Sequence, residues 1–135
     1  MRLLGHILAV CTVACASAVE PVELSVQMSV SRVLGGTPPR SVTTVAGGVD
    51  ITGYIDVNEP CYDFTASAVR DRDAITVTVS ARRRPGFCTQ DLARFAYQIA
   101  VRSVPAGSYR LTVVHDHVGP PTFRASVFEG VVDVP

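Results

Sequence analysis

The sequence contains no lysine and no tryptophan, and Asn58 is its only asparagine. Without lysine the chain cannot form the lysine–asparagine isopeptide crosslink that stiffens some bacterial surface modules. The absence of tryptophan weighs against a sugar-binding site, because such sites often stack sugar rings on indole side chains. The missing lysine therefore excludes an isopeptide crosslink, and the missing tryptophan makes a carbohydrate ligand less favoured.

Charge of either sign is also limited, and the two signs balance. Twelve arginines accompany twelve acidic residues, so the formal net charge at pH 7 is zero. A nucleic-acid-binding domain normally carries a clear basic excess that offsets the phosphate charge. We therefore expect no nucleic-acid partner.

The longest hydrophobic run lies at the N-terminus, where MRLLGHILAVCTVACASAVEP resembles a secretory signal peptide. Arg2 precedes an apolar run over residues 3–14, and small residues follow at 16–18. The run is shorter than the roughly 20 apolar residues that a membrane-spanning helix needs. The pattern predicts a cleaved signal peptide over residues 1–18, one domain over 19–135, and no transmembrane segment in the mature chain.

A second interpretation of the same segment involves Cys15. The sequence Val13, Ala14, Cys15 resembles the lipidation site of bacterial lipoproteins, which implies that Cys15 becomes a lipid-bearing N-terminus. Thr12 occupies a position at which such sites are rich in leucine. Both interpretations predict an exported protein that is periplasmic, extracellular or anchored to a membrane as a lipoprotein.

Only two cysteines follow the predicted signal peptide, Cys61 and Cys88. In an oxidising compartment an even number of cysteines indicates disulfide bonding, and two thiolates alone are too few for a closed zinc site. The sequence therefore predicts a disulfide between Cys61 and Cys88. Closing a loop of this length stabilises a small domain by about 3 to 4 kcal/mol in the chain-entropy model.

Apolar and polar residues alternate with a period of two along almost the whole mature chain, and helical periodicity is absent. Gly53 falls on an inward position, which predicts a bulge or a close approach of backbone. A further bulge is expected near Glu129 and Gly130. This pattern predicts an all-β, antiparallel two-sheet sandwich. Seven strands are expected, over residues 22–30, 49–57, 62–68, 75–79, 95–101, 109–113 and 123–132.

The segment VPAGSYRLTVV, residues 104–114, resembles the turn that enters the penultimate strand of fibronectin type III and transthyretin-like bacterial modules. In such immunoglobulin-like domains a tyrosine at this corner bonds through its hydroxyl to upstream main chain. The resemblance implies an immunoglobulin-like sandwich with a structural turn at Pro105, Gly107 and Tyr109. Tyr109 is then expected to be buried, with its hydroxyl bonded to the main chain of residues 103–105.

An immunoglobulin-like strand order places successive loops at alternate ends of the sandwich. The loops at 57–61, 82–94 and 115–121 are expected at one end, and those at 35–46, 70–73 and 103–108 at the other. Cys61 and Cys88 then fall at the same end, as a disulfide requires. Loops at one end of a rigid sandwich commonly carry binding residues. The candidates at this end are Pro60, Arg82, Arg83, Arg84, Phe87, His115 and His117.

Some of these candidates also have a purely structural interpretation. The arginine run at 82–84 is compatible with a solvated loop, because charged residues collect in loops whether or not a partner exists. Phe87 either packs beneath its loop or projects as an anchor for a partner. Packing beneath the loop is the expected outcome.

His115 and His117 lie two residues apart in VVHDHVGPP, so on a strand both side chains project to one side. The spacing resembles part of the metal centre of copper/zinc superoxide dismutase, but the mature chain has no further histidine. A site would have to recruit carboxylates such as Asp116 or Glu59. We expect no metal and no cofactor, and we interpret the pair as surface histidines at a strand end.

No catalytic motif stands out, because the sequence has no Gly-x-Ser-x-Gly elbow and the predicted disulfide leaves no free thiol in the mature chain. An enzyme is therefore not expected. Two functions remain open. One is a non-catalytic binding, adhesion or accessory module whose partner is a protein or other component of the cell envelope. The other is a small secreted peptidase inhibitor, since immunoglobulin-like inhibitors of cysteine peptidases also present loops from one end.

Overall fold

The computed structural model describes residues 20–135, and every regular element within them is a β-strand. The predicted signal peptide at 1–18 and the alternative lipidation site at Cys15 lie outside the described residues. The strands are β1 Val22–Glu23, β2 Ser25–Val33, β3 Ser41–Val45, β4 Gly48–Val57, β5 Tyr62–Asp71, β6 Ala74–Arg83, β7 Ala93–Arg102, β8 Gly107–Val118 and β9 Phe123–Val134.

These strands form two sheets that pack as a sandwich. The five-stranded sheet has the order β1-β5-β6-β8-β9, and the four-stranded sheet has the order β2-β7-β4-β3. The all-β sandwich predicted from the alternating pattern is therefore confirmed. Two short strands, β1 and β3, raise the number of strands from the expected seven to nine.

One strand pair departs from the antiparallel pattern that the sequence predicts. Strands β6 and β8 are parallel, with Ile75 opposite Leu111 and Val77 opposite Val113. Strand β7 lies between them in the chain but belongs to the opposite sheet. Strand β7 returns the chain to the end of the sandwich at which β6 began, so β8 runs in the same direction as β6. It thereby supplies the long crossover that parallel neighbours require.

The core lies between the sheets and is built from the inward positions of the alternating strands. Along β6, buried and partly exposed residues alternate from Ala74 to Ala81 without interruption. Burying a valine or leucine side chain completely contributes about 1.5 to 3 kcal/mol each. Residues with no exposed surface include Val49, Val77, Val79, Val101 and Leu111.

A second, smaller cluster closes the core near the ends of β4 and β6. Phe64 and Phe95 lie at its edge, with ring centroids 4.7 Å apart. Its buried members are Ile55, Val57, Ala81 and Ala93. Because Ala93 begins β7, this cluster fills the space beneath the loop that precedes that strand.

Gly53 allows a close approach, as its inward position predicts, but the group that approaches is a side chain. Gly53 lies opposite Tyr97 in the register of β4 and β7. A Cβ atom at position 53 would lie 2.6 Å from Cζ of the Tyr97 ring. Any larger residue at position 53 would overlap the Tyr97 ring, so only glycine allows the tyrosine to lie where it does.

The turn before β8 has the geometry of a tyrosine corner. Tyr109 is buried, and its hydroxyl donates a hydrogen bond of 2.9 Å to the carbonyl oxygen of Pro105. Gly107 has a φ of +154°, which L side chains rarely adopt. The corner therefore holds the entry of β8 against the preceding loop.

The irregularity of β9 lies a few residues before the predicted position. Val113 is opposite Phe128 whereas Val114 is opposite Ser126, so Val127 is the extra residue. The bulge expected near Glu129 and Gly130 is thus displaced toward the N-terminal half of the strand. Beyond a bulge, the residues that would have pointed inward point outward and the reverse, because one extra residue shifts the strand by one position. This explains why the apolar and polar residues of β9 alternate less regularly.

Candidate functional site

Several loops meet at the end of the sandwich where β4, β6 and β8 finish. Val57 is opposite Ala93, so the end of β4 lies beside the start of β7. Tyr62 is opposite Arg83, which places the start of β5 beside the end of β6. The ends of β6 and β8 are also neighbours. Residues 58–61, 84–92 and 119–122 therefore share one end, which we call the disulfide end.

A fourth loop, residues 34–40, also leaves from the disulfide end. Val33 closes β2 opposite Arg94, at the start of β7. Arg94 donates a 3.0 Å hydrogen bond to the Thr37 hydroxyl, which ties this loop to the same end. The sequence interpretation, which placed 35–46 at the opposite end as one loop, was wrong. Strand β3 runs back beside the first half of β4, and only its turn into β4 lies at the far end.

The predicted disulfide is confirmed and connects two of these loops. Cys61 and Cys88 are bonded, with their Cα atoms 6.0 Å apart. The amide nitrogen of Arg84 also donates a 2.9 Å hydrogen bond to the carbonyl oxygen of Cys61. The loop 84–92 is therefore held to the loop 58–61 at its first residue, Arg84, and at its midpoint, Cys88.

A buried ion pair adds a further connection. The Glu59 side chain is almost fully buried, and both of its carboxylate oxygens accept hydrogen bonds from the guanidinium of Arg83. The same guanidinium lies 3.4 Å from the carbonyl oxygen of Gly86. Arg83 was predicted as a binding residue, but its hydrogen-bond donors hold the loops together instead. A buried carboxylate such as that of Glu59 needs a cationic partner of this kind.

The remaining predicted residues of these loops are more accessible than Arg83: Arg82 and Arg84 are exposed, and Pro60 is partly exposed. Arg82 is exposed on β6, whereas the Arg84 Nε atom lies 3.5 Å from an Asp63 carboxylate oxygen in a pair that is more than half exposed. An exposed pair of this kind is worth little, so both guanidinium groups remain available to a partner. The arginines line a shallow depression of about 510 Å³ together with Pro120.

Phe87 projects from the disulfide end. Its side chain is 95% exposed, so the expectation that it packs beneath its loop was wrong. The following residue, Cys88, is buried through its bond to Cys61, and neighbouring residues on an extended segment point to opposite sides. The smaller core cluster occupies the space beneath the loop, which leaves Phe87 facing the solvent.

Two leucines that the sequence interpretation missed accompany Phe87. Leu34 is 92% exposed and Leu92 is 87% exposed. Together with Phe87 they are the three most exposed large apolar side chains in residues 20–135, and all three belong to loops of the disulfide end. Leu34 and Leu92 line one depression. The available sequence signal was their position in turn-rich segments outside the alternating strands.

The two histidines do not belong to this loop surface. His115 and His117 are both buried, because β8 continues to Val118 and keeps them on its inward face. The ring of His117 stacks on Phe123 with centroids 3.9 Å apart. The interpretation as surface histidines was therefore wrong, and neither imidazole is a candidate for contacting a partner.

The surroundings of the histidines keep them uncharged. Burial first, and the positive charge of Arg40 second, lower the pKa of His115 to about 4. Burial also lowers the pKa of His117, against the opposing effect of Asp116. Within the described range 20–135, no group of three or more histidine, cysteine or acidic residues lies close enough together to hold a metal ion. Among the same residues there is no helix with the length and hydropathy of a membrane span.

The comparisons with known proteins concern the domain as a whole. The family model described as the ORF11 beta-sandwich domain matches residues 49–124. The match runs from the second residue of β4 to the second residue of β9 and includes both cysteines of the disulfide. No curated protein and no solved structure matches the chain. Since the family match covers more than half of the 135 residues, the chain belongs to the ORF11 beta-sandwich domain family.

Proposed function

We propose that this protein is an exported, non-catalytic binding module that contacts a protein of the cell envelope through its disulfide end. The observation that carries the proposal is the position of Leu34, Phe87 and Leu92. These are the most exposed large apolar side chains of the described residues, and they project from loops at one end of the sandwich.

The physical argument is that such side chains are unfavourable in water and favourable in an interface. Apolar groups gathered at one site on a soluble domain mark interaction surfaces, and a few aromatic anchors commonly carry most of the binding energy. Phe87 has the form of such an anchor. It stands beside a residue that the disulfide holds in place, so little conformational entropy is lost when a partner binds.

The charge at the disulfide end favours a protein over nucleic acid or an anionic membrane. Arg83 is paired with Glu59, and Arg94 is paired with Asp56. Polyanions and anionic lipid surfaces attract clusters of unpaired cations. Because these two arginines are paired, this end combines exposed apolar side chains with a polar surface of mixed charge, a combination typical of protein interfaces.

Export is part of the same proposal and rests on two supporting features. The N-terminal segment over residues 1–18 has the layout of a signal peptide, and disulfides persist in oxidising compartments. The protein is then periplasmic, extracellular, or anchored to a membrane through Cys15. Its kinship with immunoglobulin-like modules is likewise a proposal, supported by the Tyr109 corner; the parallel β6–β8 pair is a difference from an all-antiparallel sandwich.

A peptidase is one form that the partner can take. Four loops converge at the disulfide end, and this arrangement is similar in plan to that of immunoglobulin-like inhibitors of cysteine peptidases. Inhibition of papain by the purified domain distinguishes this function from that of a passive module. Inhibition that disappears on substitution of Phe87 supports the inhibitor, whereas partner binding without inhibition supports the module.

Capture of a partner from solubilised envelope of the producing organism tests the proposal. The protein is immobilised through a C-terminal tag, because Val134 lies opposite Gly107, at the end far from the disulfide. A bound protein is identified by mass spectrometry, and its binding is then measured with purified components. We expect the double variant Phe87→Ser, Leu92→Ser to lose this binding.

Val131→Ser provides the matched control, since Val131 is an apolar residue that is 73% exposed on β9, away from the loops. The control should bind as the unmodified protein does. Equal binding by all three proteins, or a loss confined to the Val131 variant, would overturn the assignment of the disulfide end.

A further inference from the structure

A cleft between the two sheets opens on one side of the sandwich, where the edge strands β3 and β9 face each other. Its volume is about 310 Å³, which lies at the lower limit of typical small-molecule sites. The exposed apolar side chains of the disulfide end, Leu34, Phe87 and Leu92, do not line it, and the two regions share only Arg40, the last residue of the loop 34–40. Its apolar wall comes from both sheets and includes Val42, Ile51, Val113, Val127, Phe128 and Val132.

Two features of the edge strands keep the cleft open. Strand β3 has only five residues and begins opposite Thr52, so it covers only part of β4. In β9 the bulge at Val127 interrupts the regular register with β8. The ring of Phe128 lies over Gly130, where a Cβ atom would be 2.9 Å from its Cζ atom. The sheet edges therefore do not close over the core at this point.

The polar side of the cleft contains Arg40, Ser41, Thr52 and Tyr97. Arg40 is exposed and makes no ion pair with any of the residues 20–135; its guanidinium lies 4.3 Å from the centroid of the Tyr54 ring. The hydrogen bond from Arg94 and, more weakly, the charge of Arg40 lower the pKa of Asp56, so Asp56 offsets part of the Arg40 charge without bonding to it. The hydroxyls of Ser41 and Thr52 lie 2.7 Å apart and bond to each other.

We propose that this cleft binds a small amphipathic carboxylic acid, with its carboxylate on Arg40 and its apolar portion against Val127, Phe128 and Val131, whose side chains are accessible. The planar guanidinium fits a carboxylate and forms charge-assisted hydrogen bonds with it. The apolar wall removes a hydrocarbon chain from water, which supplies the remainder of the affinity. A mixed lining of this kind, apolar with few convergent polar groups, is typical of small-molecule sites.

The interior of the cleft favours an uncharged hydrocarbon portion over a second charge. Tyr97 is buried there, and its hydroxyl is already bonded to Nε2 of His115 at 2.9 Å. No carboxylate lines the cleft. The lining therefore favours an acid that has one carboxylate, which pairs with Arg40, and an otherwise apolar chain. The lining contains no acidic residue that would repel the carboxylate.

Octanoate is the probe that tests the proposal, followed by two-dimensional NMR of the isotopically labelled protein. We expect saturable shifts of the amide signals of Val127, Phe128 and Val131. Octanol, which has a similar chain without the charge, should bind more weakly. Absence of saturable shifts with octanoate, or shifts confined to residues 34, 87 and 92 at the disulfide end, would overturn the proposal.

Substitution of the arginine tests the role of the carboxylate. Arg40→Gln should weaken octanoate binding about fivefold or more, the order expected for loss of a charge-assisted bond at a partly exposed site, and leave octanol binding unchanged. Arg32→Gln is the matched control, because Arg32 is an exposed arginine on β2, at the opposite edge of the same sheet, and makes no ion pair with any of the residues 20–135. An equal loss in both variants, or no loss with Arg40→Gln, contradicts the assignment.

Discussion

The hydroxyl of Tyr97 and Nε2 of His115 lie 2.9 Å apart inside the sandwich, and this hydrogen bond joins β7 of one sheet to β8 of the other. The two rings also meet edge to face, with centroids 5.7 Å apart. Burial raises the pKa of Tyr97 and lowers that of His115, so both groups are uncharged at neutral pH. A buried polar pair of this kind stabilises the fold only while both partners stay neutral.

The first prediction is that stability falls in mild acid because of His115. Its pKa drops from 6.5 in the unfolded chain to about 4 in the fold, mainly through burial, with Arg40 and His117 acting in the same direction and Asp56 against them. The contribution is therefore complete above pH 6.5 and is lost as the pH falls through about 4.

Melting temperatures measured between pH 7 and pH 4 check this prediction. His115→Gln keeps a hydrogen-bonding group but removes the titration, so its melting temperature should fall less over this range than that of the unmodified protein. Parallel curves for the two proteins would show that other groups cause the acid sensitivity.

A second prediction concerns the contact between Gly53 and Tyr97. Gly53→Ala places a Cβ atom 2.6 Å from Cζ of the tyrosine, so the buried ring must move from its hydrogen bond with His115 or the strands must shift. Overpacking of this kind costs about 1 to 3 kcal/mol, which denaturant unfolding measures directly. Gly35→Ala is the control, since a Cβ atom there meets nothing within 4 Å. Equal unfolding free energies for the two variants would contradict the prediction.

The third prediction is that Cys88→Ser lowers the unfolding free energy by about 3 to 4 kcal/mol, because the bond to Cys61 closes a long loop in a small domain. Mass spectrometry after alkylation without reductant should find neither cysteine modified in protein from an oxidising compartment. Two alkylated thiols in the folded protein are the result that refutes the bond.

The tyrosine corner leads to a fourth prediction. Tyr109→Phe removes the donor to the Pro105 carbonyl and should cost about 1 kcal/mol of stability, because the tyrosine is buried and its bond is partly shielded from water, although the turn itself is exposed. Tyr62→Phe removes a hydroxyl that bonds the exposed Asn58 side chain at 3.1 Å, so water can replace it and the loss should be much smaller. If the two variants unfold at the same denaturant concentration, the hydrogen bond of the corner adds no more to the unfolding free energy than an exposed one does.

The fifth prediction separates two neighbouring arginines. Arg83→Ala leaves the buried Glu59 carboxylate without its partner and should cost roughly 3 kcal/mol, toward the lower part of the range for such pairs because Arg83 itself is 35% exposed. Arg82→Ala, at an exposed position on β6, should change stability by less than about 0.5 kcal/mol. Thermal unfolding of both variants decides the matter, and similar costs would contradict the structural role of Arg83.

The sequence alone was sufficient for those features that depend on local pattern. Alternation along residues such as Ile75, Val77 and Val79 specifies a strand and its buried face, because side chains on a strand point to opposite sides in turn. The cysteine count in a chain that resembles an exported protein was likewise enough for the disulfide. The same local rule put the side chains of His115 and His117 on one side, but the pair was interpreted as surface histidines at a strand end, whereas β8 continues to Val118 and buries both.

Only the tertiary structure decided which strands are neighbours and where the loop side chains point. The parallel pairing of β6 with β8 depends on β7 joining the opposite sheet, and no local pattern encodes that choice. Phe87 faces the solvent beside Cys88, which is buried through its bond to the distant Cys61. The sequence determines which face of a strand is apolar, whereas pairing and loop orientation depend on how the remote parts of the chain fill the shared space.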